Sequence, residues 1–594
     1  MKRPANKRRS AAEESPAEPA RQAAATNSSW GWYAAVGALI IIALAAYSNS
    51  YRGAFVYDEI SEIANNRAIR SLWPPTTAMW EGGELPHRPL PYYSFALNYA
   101  ISGPEVWSYH ALNVAIHLAA GLTLFGLIRR TLAAPKLGFS ADAAIGLAWA
   151  AAAIWLAHPL QTQAVTYVYQ RMESWMALFY LLTLYAFARS MTAKKPTGWL
   201  LASTFFCALG MGCKEVMVTA PLLALWYDRT FWSESFAAAI LKRKVYYASL
   251  AATWLVLFAV VFAQRSTYGE LNTPRWTTLE YALSQPAVIL RYVTLFFWPS
   301  GQCLDYWLVP QINLTQQVPL IALLVLLAAY VLYGAWRGWA SSFLIGSFFL
   351  ILGPTSSILA VADVCVEHRV YLPSTLLAIG VVLLCYFGLR AISDQWPKWL
   401  GLVAASAAVM LLISLTLARN EVYADRLTMW SDVVAKAPQN PRAHLNVGQA
   451  LHDAGEDGLA GRYYTEAIRL DPKYAAAYVN RGNLLLELGL SEAALADYDQ
   501  AIANASSKAD AYNGRAVALR RLGRNEESLA AYDQAIKLSS GNRSVYRNRA
   551  LLLAELGQTA QAAADAATYA ALGGELDPDF IAQLETHQVA IPPQ

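Results

Sequence analysis

From Trp30 to about Leu417 the chain is a succession of apolar runs separated by short polar stretches. A helix needs about 20 apolar residues to cross a bilayer. On that scale the runs 31–48, 109–128, 141–157, 164–187, 198–212, 215–229, 245–264, 318–335, 341–361, 370–389 and 399–418 predict eleven spanning helices. A twelfth run, 283–298, is short and carries Arg291 at its middle. A charge at mid-depth in lipid is costly, so this run is expected to re-enter or to lie at the interface. The loop 49–108 is rich in Trp, Tyr and Pro, and its length marks it as functional.

After Trp430 the pattern changes from long apolar runs to a 34-residue period. Gly448, Gly482, Ala516 and Ala550 share one slot of the period, and Tyr478, Tyr512 and Tyr546 share another. Ala460 and Ala494 recur in a third, and Ala467, Ala501 and Ala535 in a fourth. Small residues at fixed points let two helices of a hairpin approach closely, and this period is that of tetratricopeptide repeats. The expected organisation is a basic tail 1–29, a membrane domain 30–418 with the external loop 49–108, a connector 419–437, about four repeats over 438–575 and a tail 576–594. The fold class is all-α, a polytopic membrane helix bundle followed by an α-solenoid.

Composition agrees with a membrane protein. Of the 594 residues 56% are hydrophobic and 15% charged, whereas a soluble domain carries about 25% charged residues. The net charge of +4 is too mild to argue for nucleic acid. Its distribution says more. Lys2, Arg3, Lys7, Arg8 and Arg9 put a basic tail inside, and eleven spans then put the loops with Arg129, Arg130 and Lys136, with Arg189, Lys194 and Lys195, and with Lys242, Arg243 and Lys244 inside as well. Residues after Arg419 then lie outside. Five cysteines without a CxxC pair do not make a disulfide framework.

The chemistry-bearing residues fall on the opposite, external side. They are Asp58 and Glu59; His87 and Arg88; His110; His158; Arg171 and Glu173; Lys214 and Glu215; Asp305; and Glu367, Arg369 and Tyr371. Each taken singly has a plain structural alternative, such as a snorkelling turn pair at Lys214-Glu215 or a satisfied core histidine at His110. Together they suggest a site at the outer membrane surface, with carboxylates to deprotonate a hydroxyl and cations to hold a phosphate. No Walker loop, GxSxG elbow, GxGxxG turn or HExxH motif is present.

The order of motifs resembles the transmembrane and tetratricopeptide-repeat-containing protein family and its bacterial relatives. The resemblance rests on Tyr57-Asp58-Glu59 with Asn65-Asn66; Arg88-Pro89-Leu90 with Asn98-Tyr99; Tyr109-His110 with Asn113 and His117; His158-Pro159 with Arg171; Lys214-Glu215; Trp298-Pro299 with Asp305-Tyr306; and Glu367, Arg369 and Tyr371-Leu372-Pro373. It implies a type C membrane glycosyltransferase fold, akin to protein O-mannosyltransferases. It also implies a polyprenyl-phosphate hexose donor, typically mannose, and inverting transfer to a Ser or Thr hydroxyl. Asp58 would then be the base, and Glu59 its neighbour, orienting the acceptor or raising the base's pKa. Arg88, Arg171, Lys214 and Arg369 would stabilise the departing phosphate. Two positions depart from the family pattern: Glu59 stands where Asp is frequent, and Gln163 where an acid often follows His-Pro-x-x-Thr.

A divalent cation is a candidate cofactor; no metal ligand set is legible. Expected partners are the lipid-linked sugar, membrane lipid and a protein or peptide acceptor at the repeats. A bacterial inner membrane with periplasmic repeats is the expected location, with an endoplasmic reticulum membrane and lumenal repeats as the eukaryotic equivalent. Two other readings remain open: the same fold modifying a glycan or lipid, and a non-catalytic scaffold that assembles envelope complexes through the repeats.

Overall fold

The computed structural model describes residues 18–82, 88–263, 276–308, 314–357, 361, 363–393, 398–505 and 509–590. Helix is the repetitive element throughout these residues. The chain divides into two units after Asp425, with the short segment Asp305–Trp307 joining the later one.

The first unit contains α1 (Glu18–Ala46), α2 (Pro75–Trp80), α3 (Pro89–Ser102), α4 (Trp107–Leu132), α5 (Ala141–Ala157), α6 (Thr162–Val165), α7 (Arg171–Ser190), α8 (Pro196–Met211) and α9 (Ala220–Phe231). It continues with α10 (Phe236–Lys242), α11 (Lys244–Ala252), α12 (Trp254–Ala263), α13 (Thr278–Phe297), α14 (Leu314–Arg337), α15 (Ala340–Leu352), α16 (Ser374–Ile392) and α17 (Lys398–Glu421). Among the described residues six stretches are long and apolar enough to cross a membrane: Gly31–Arg52, Trp107–Leu132, Lys244–Ala263, Gln317–Arg337, Ser374–Ile392 and Trp399–Glu421. The other expected spans form shorter or more polar helices: α5 with α6, α7, α8, α9 and α15. The run expected to re-enter, 283–298, belongs to the 20-residue helix α13, which a Thr277–Glu280 capping box opens.

α5 and the segment Pro159–Val165 form a pair bent by 54°. The break follows from His158-Pro159. A residue before proline is pushed out of the helical region, and His158 sits at φ −77°, ψ 131°. The His158 ring then accepts from Leu160 N–H at 3.2 Å, and its other nitrogen meets the Phe296 carbonyl at 2.8 Å. With Nδ1 accepting, Nε2 carries the proton.

Several helix ends of alternating chain direction meet at one end of this unit. Asn420, near the end of α17, donates to Ala46 O and to Asn49 Oδ1, both at 2.9 Å, and accepts from Thr166 Oγ1 at 2.8 Å. Tyr371 before α16 joins His117 of α4 at 2.7 Å and receives the Trp155 indole N–H of α5 on its carbonyl. The far end of the bundle is built from basic loops. Lys136 donates to the carbonyls of Thr230 and Ser233, and Arg243 pairs with the buried Asp228 at 2.7 Å.

The second unit begins with α18 (Arg426–Lys436) and continues as helix pairs. The first helices are α19 (Pro441–Asp453), α21 (Ala475–Glu487), α23 (Ala509–Arg521) and α25 (Arg543–Glu555). Their partners are α20 (Asp457–Leu470), α22 (Ser491–Asn504), α24 (Asn525–Leu538) and α26 (Thr559–Ala571), and α27 (Pro578–Thr586) covers the end. Both series start at 34-residue intervals, as the sequence period requires. The turn inside each pair carries a glycine at φ between 71° and 80°: Gly455, Gly489, Gly523 and Gly557. Residues with a Cβ rarely adopt that conformation. Tyr464, Tyr498 and Tyr532, also 34 apart, are buried. Tyr464 and Tyr498 lie where a Cβ on Gly448 or Gly482 would crowd them.

One close approach of this kind predicts a stability effect. A Cβ on Gly514 would fall 2.3–2.4 Å from ring atoms of Tyr498, which is fully buried. Gly514→Ala is expected to lower the stability of the full chain by about 1–3 kcal/mol, read as a lower midpoint in thermal unfolding.

Candidate functional site

The candidate site is assembled at the end of the first unit where Asp58 lies. After α1 the chain turns through Ser50–Arg52 and runs extended to Val56. Tyr57 then takes a left-handed conformation, φ 51°, which is uncommon for a residue with a large side chain. Such outliers persist only where surrounding structure enforces them. Here Glu59 does so. It is 1% exposed. One of its carboxylate oxygens accepts from Val56 N–H at 2.8 Å and the other from Tyr169 N–H at 3.2 Å. Glu59 therefore bolts the turn to the loop before α7. Both of its carboxylate oxygens are thus engaged by backbone N–H groups.

Asp58 is half-buried, and its Oδ2 accepts from the Tyr167 hydroxyl at 2.7 Å. The chain continues into a π-helical turn, Ile60–Ala64, closed by Asn65 N–H on Ile60 O at 2.8 Å. Single π turns often mark functional sites. This turn carries Glu62, fully buried, which accepts from the Tyr92 hydroxyl. The buried Tyr169 lies within electrostatic reach of Asp58, Glu62 and Arg88.

Cations stand beside these acids. Arg88, at the N-cap of α3, pairs with Glu215, and Lys214 pairs with Glu173 at 2.5 Å. His368 donates its backbone N–H to Gln163 Oε1 at 2.7 Å, and its ring lies within reach of Lys214 and Arg369. Burial first, then those two positive charges, hold the His368 imidazole well below its ordinary pKa. Arg369 donates to the carbonyls of Val364 and Asp363 and to the Tyr281 hydroxyl.

Other sequence candidates are engaged in contacts between elements. Arg171 is fully buried, so the expected phosphate contact is replaced by a network of its own. Its Nε donates to Asn113 Oδ1 at 2.5 Å, Nη1 to Ser94 and to Asn98 Oδ1, and Nη2 to Tyr109 O at 2.8 Å. The guanidinium also lies 4.7 Å from the Phe95 ring centroid. Glu367 accepts from Cys303 N–H at 2.6 Å and from the Gln302 amide at 3.1 Å, pinning that loop. Tyr371 and His158 join helices, as described above. His110 is buried beside Gly53 with both ring nitrogens unpartnered. Asp305 belongs to the repeat unit, where it accepts from Asn440 at 2.9 Å and Arg442 at 2.7 Å. His87 lies outside the described residues. Among those residues no group of three or more His, Cys, Asp and Glu side chains could hold a metal ion.

Sequence reasoning missed Glu62, Tyr92, Tyr167 and Tyr169. The signal for Glu62 was its spacing of four from Asp58, which puts two acids on one helical face. The Tyr167-x-Tyr169 pair carries no comparable mark, because tyrosines are plentiful throughout the chain.

The comparisons agree with this architecture. The family model described as tetratricopeptide repeat matches residues 412–475 and 479–543. A protein O-mannosyl-transferase of Caenorhabditis elegans is 25% identical over 460 residues, 73% of this chain and 62% of that protein. The human protein O-mannosyl-transferase TMTC1 is 25% identical over 508 residues, 74% of this chain and 56% of that one. For human TMTC4 the figures are 25% over 487 residues, 71% and 64%. The chain is thus similar to transmembrane and tetratricopeptide-repeat-containing proteins named protein O-mannosyl-transferases. It spans about three fifths of the length of these curated relatives.

Two outcomes follow from this geometry. Arg171→Ala leaves Asn113, Asn98 and Ser94 without their common donor and opens a cavity. It is expected to destabilise the protein by about 3–5 kcal/mol, seen as loss of monodisperse protein or a collapsed melting midpoint. Burial raises the Glu59 carboxyl to about 8, against backbone N–H groups that pull it down. The stability it lends is fully present below its ordinary value of 4.5 and is lost as pH rises through 8. Melting midpoints measured across that window should fall for the native chain and stay flatter for Glu59→Gln.

Proposed function

We propose that this protein is a membrane glycosyltransferase. It moves a hexose, mannose by analogy with its relatives' names, from a polyprenyl phosphate to a Ser or Thr hydroxyl of a protein, with inversion at the anomeric carbon. The observation that carries the reading is Asp58, a half-buried carboxylate fixed by Tyr167 on a strained turn, with ion-paired cations on neighbouring elements.

In the reaction the acceptor O–H donates its proton to Asp58. The acceptor oxygen forms its bond to the anomeric carbon from the face opposite the phosphate. The bond from that carbon to the phosphate oxygen breaks, and its electron pair leaves with the phosphate. No separate acid is needed, because phosphate departs as a stable anion and cationic groups suffice to hold it. Arg88, Lys214 and Arg369 supply that charge. Glu215 and Glu173 keep Arg88 and Lys214 in place before donor binds, so the donor phosphate meets a preformed site.

Glu59 is a positioning residue here, acting through the turn that carries Asp58. The repeats recruit the protein acceptor, as solenoids of this type offer concave binding surfaces. The membrane is a bacterial inner membrane, with the repeats and Asp58 on its outer side.

Asp58→Asn keeps the shape and removes the base. General-base catalysis contributes about 10²–10⁴-fold, so transfer of labelled mannose from polyprenyl phosphate to an acceptor peptide should fall by that factor. The variant should keep the native melting midpoint and membrane insertion. Full activity in Asp58→Asn would refute the assignment of the base.

A further inference from the structure

The opposite end of the membrane unit holds a second concentration of charge that the proposed transfer does not use. Arg129 and Arg130 close α4, and Arg189 lies in the last turn of α7. Both helices begin near the candidate site. At 1.5 Å per residue, α4 and α7 place these arginines about 30 Å from it, the thickness of a bilayer core.

The charges acting on Arg129 are Arg130, Arg189 and the Tyr185 hydroxyl, with no carboxylate among them. Among the described residues none of the three arginines has an ion-pair partner. Helix C-termini offer them a partial negative charge. Yet Nε of Arg129 and Nε of Arg130 are buried and donate to nothing. An unfilled buried donor costs about 1–3 kcal/mol, and like charges held together repel. An anion with several acceptor oxygens placed against the guanidiniums would relieve the repulsion.

Aromatic rings shape the place. The Arg130 guanidinium lies 5.7 Å from the Tyr185 ring centroid, and Arg189 lies 4.6 Å from that of Trp199. Gly126, one turn before Arg130, lets the Tyr185 ring in: a Cβ there would come within 2.8 Å of it. Tyrosine and tryptophan favour the headgroup level of a membrane. Basic pockets between membrane helices on the cytoplasmic side suit anionic headgroups, and a guanidinium grips phosphate through two parallel N–H bonds.

We propose that Arg129, Arg130 and Arg189, framed by Tyr185 and Trp199, form a binding site for the phosphate of an anionic glycerophospholipid in the leaflet opposite the transfer site. The site stands on its own geometry and does not depend on the glycosyltransferase reading.

Native mass spectrometry of the full chain tests it, with the detergent-purified protein offered phosphatidylglycerol or phosphatidylethanolamine. Phosphatidylglycerol should be retained in preference. Each of Arg130→Gln and Arg189→Gln should weaken that retention about fivefold, with the melting midpoint of lipid-free protein no lower than that of the native chain. Arg130→Lys keeps the charge without the fork and should retain lipid at an intermediate level. If one glutamine variant fails to fold, the other carries the test. Equal retention of the two lipids, or native retention by the folded glutamine variants, would overturn the proposal. Displacement of phosphatidylglycerol by inorganic phosphate, or preferential retention of a polyprenyl phosphate, would also overturn it by assigning the site to another phosphate source.

Discussion

The membrane unit depends on one buried guanidinium. Arg171 is shut away from solvent at the start of α7, and its donors go to neutral acceptors on α3 and α4. A charge in such a place is tolerated only when its donors are filled. Asn113, Ser94, Asn98 and the Tyr109 carbonyl must therefore converge on one point. That convergence sets how α3, α4 and α7 meet. It also places the residues that flank them: Arg88 at the start of α3, Glu173 two residues beyond Arg171, and Tyr167 and Tyr169 just before it.

The same constraint explains why the polar residues gather at one end. Chain breaks inside a membrane bundle leave backbone N–H and C=O groups that lipid cannot satisfy. Side chains seal them here. Glu59 takes two backbone N–H groups, Glu367 takes one, and His158 and Trp155 reach carbonyls of neighbouring elements. Many acids and histidines at this end are thus present for backbone satisfaction. A smaller set is left for chemistry.

That division is what sequence could not show. The apolar runs and the 34-residue period made the helices and the repeats legible, because each depends on local periodicity. The role of each residue was not. Arg171 and Arg88 look alike in sequence, and only their tertiary partners separate the arginine that joins helices from the one paired with Glu215. Asp305 follows Trp298-Pro299 closely, yet its partners are Asn440 and Arg442, more than 130 positions away. Such pairings arise from tertiary structure and leave no local trace.

Asp58 and Glu59 show how fine the distinction is. They are adjacent and carry the same functional group. The left-handed turn at Tyr57 sends their side chains in different directions. Glu59, longer by one methylene, reaches inward to two backbone N–H groups where burial favours its protonated form. Asp58 remains half-buried and accepts from the Tyr167 phenol. Interchanging the two acids would put the shorter side chain where reach is needed, loosening the turn. The Asp-Glu order is therefore a matter of geometry: the inner acid must be the long one so that the outer acid is held still.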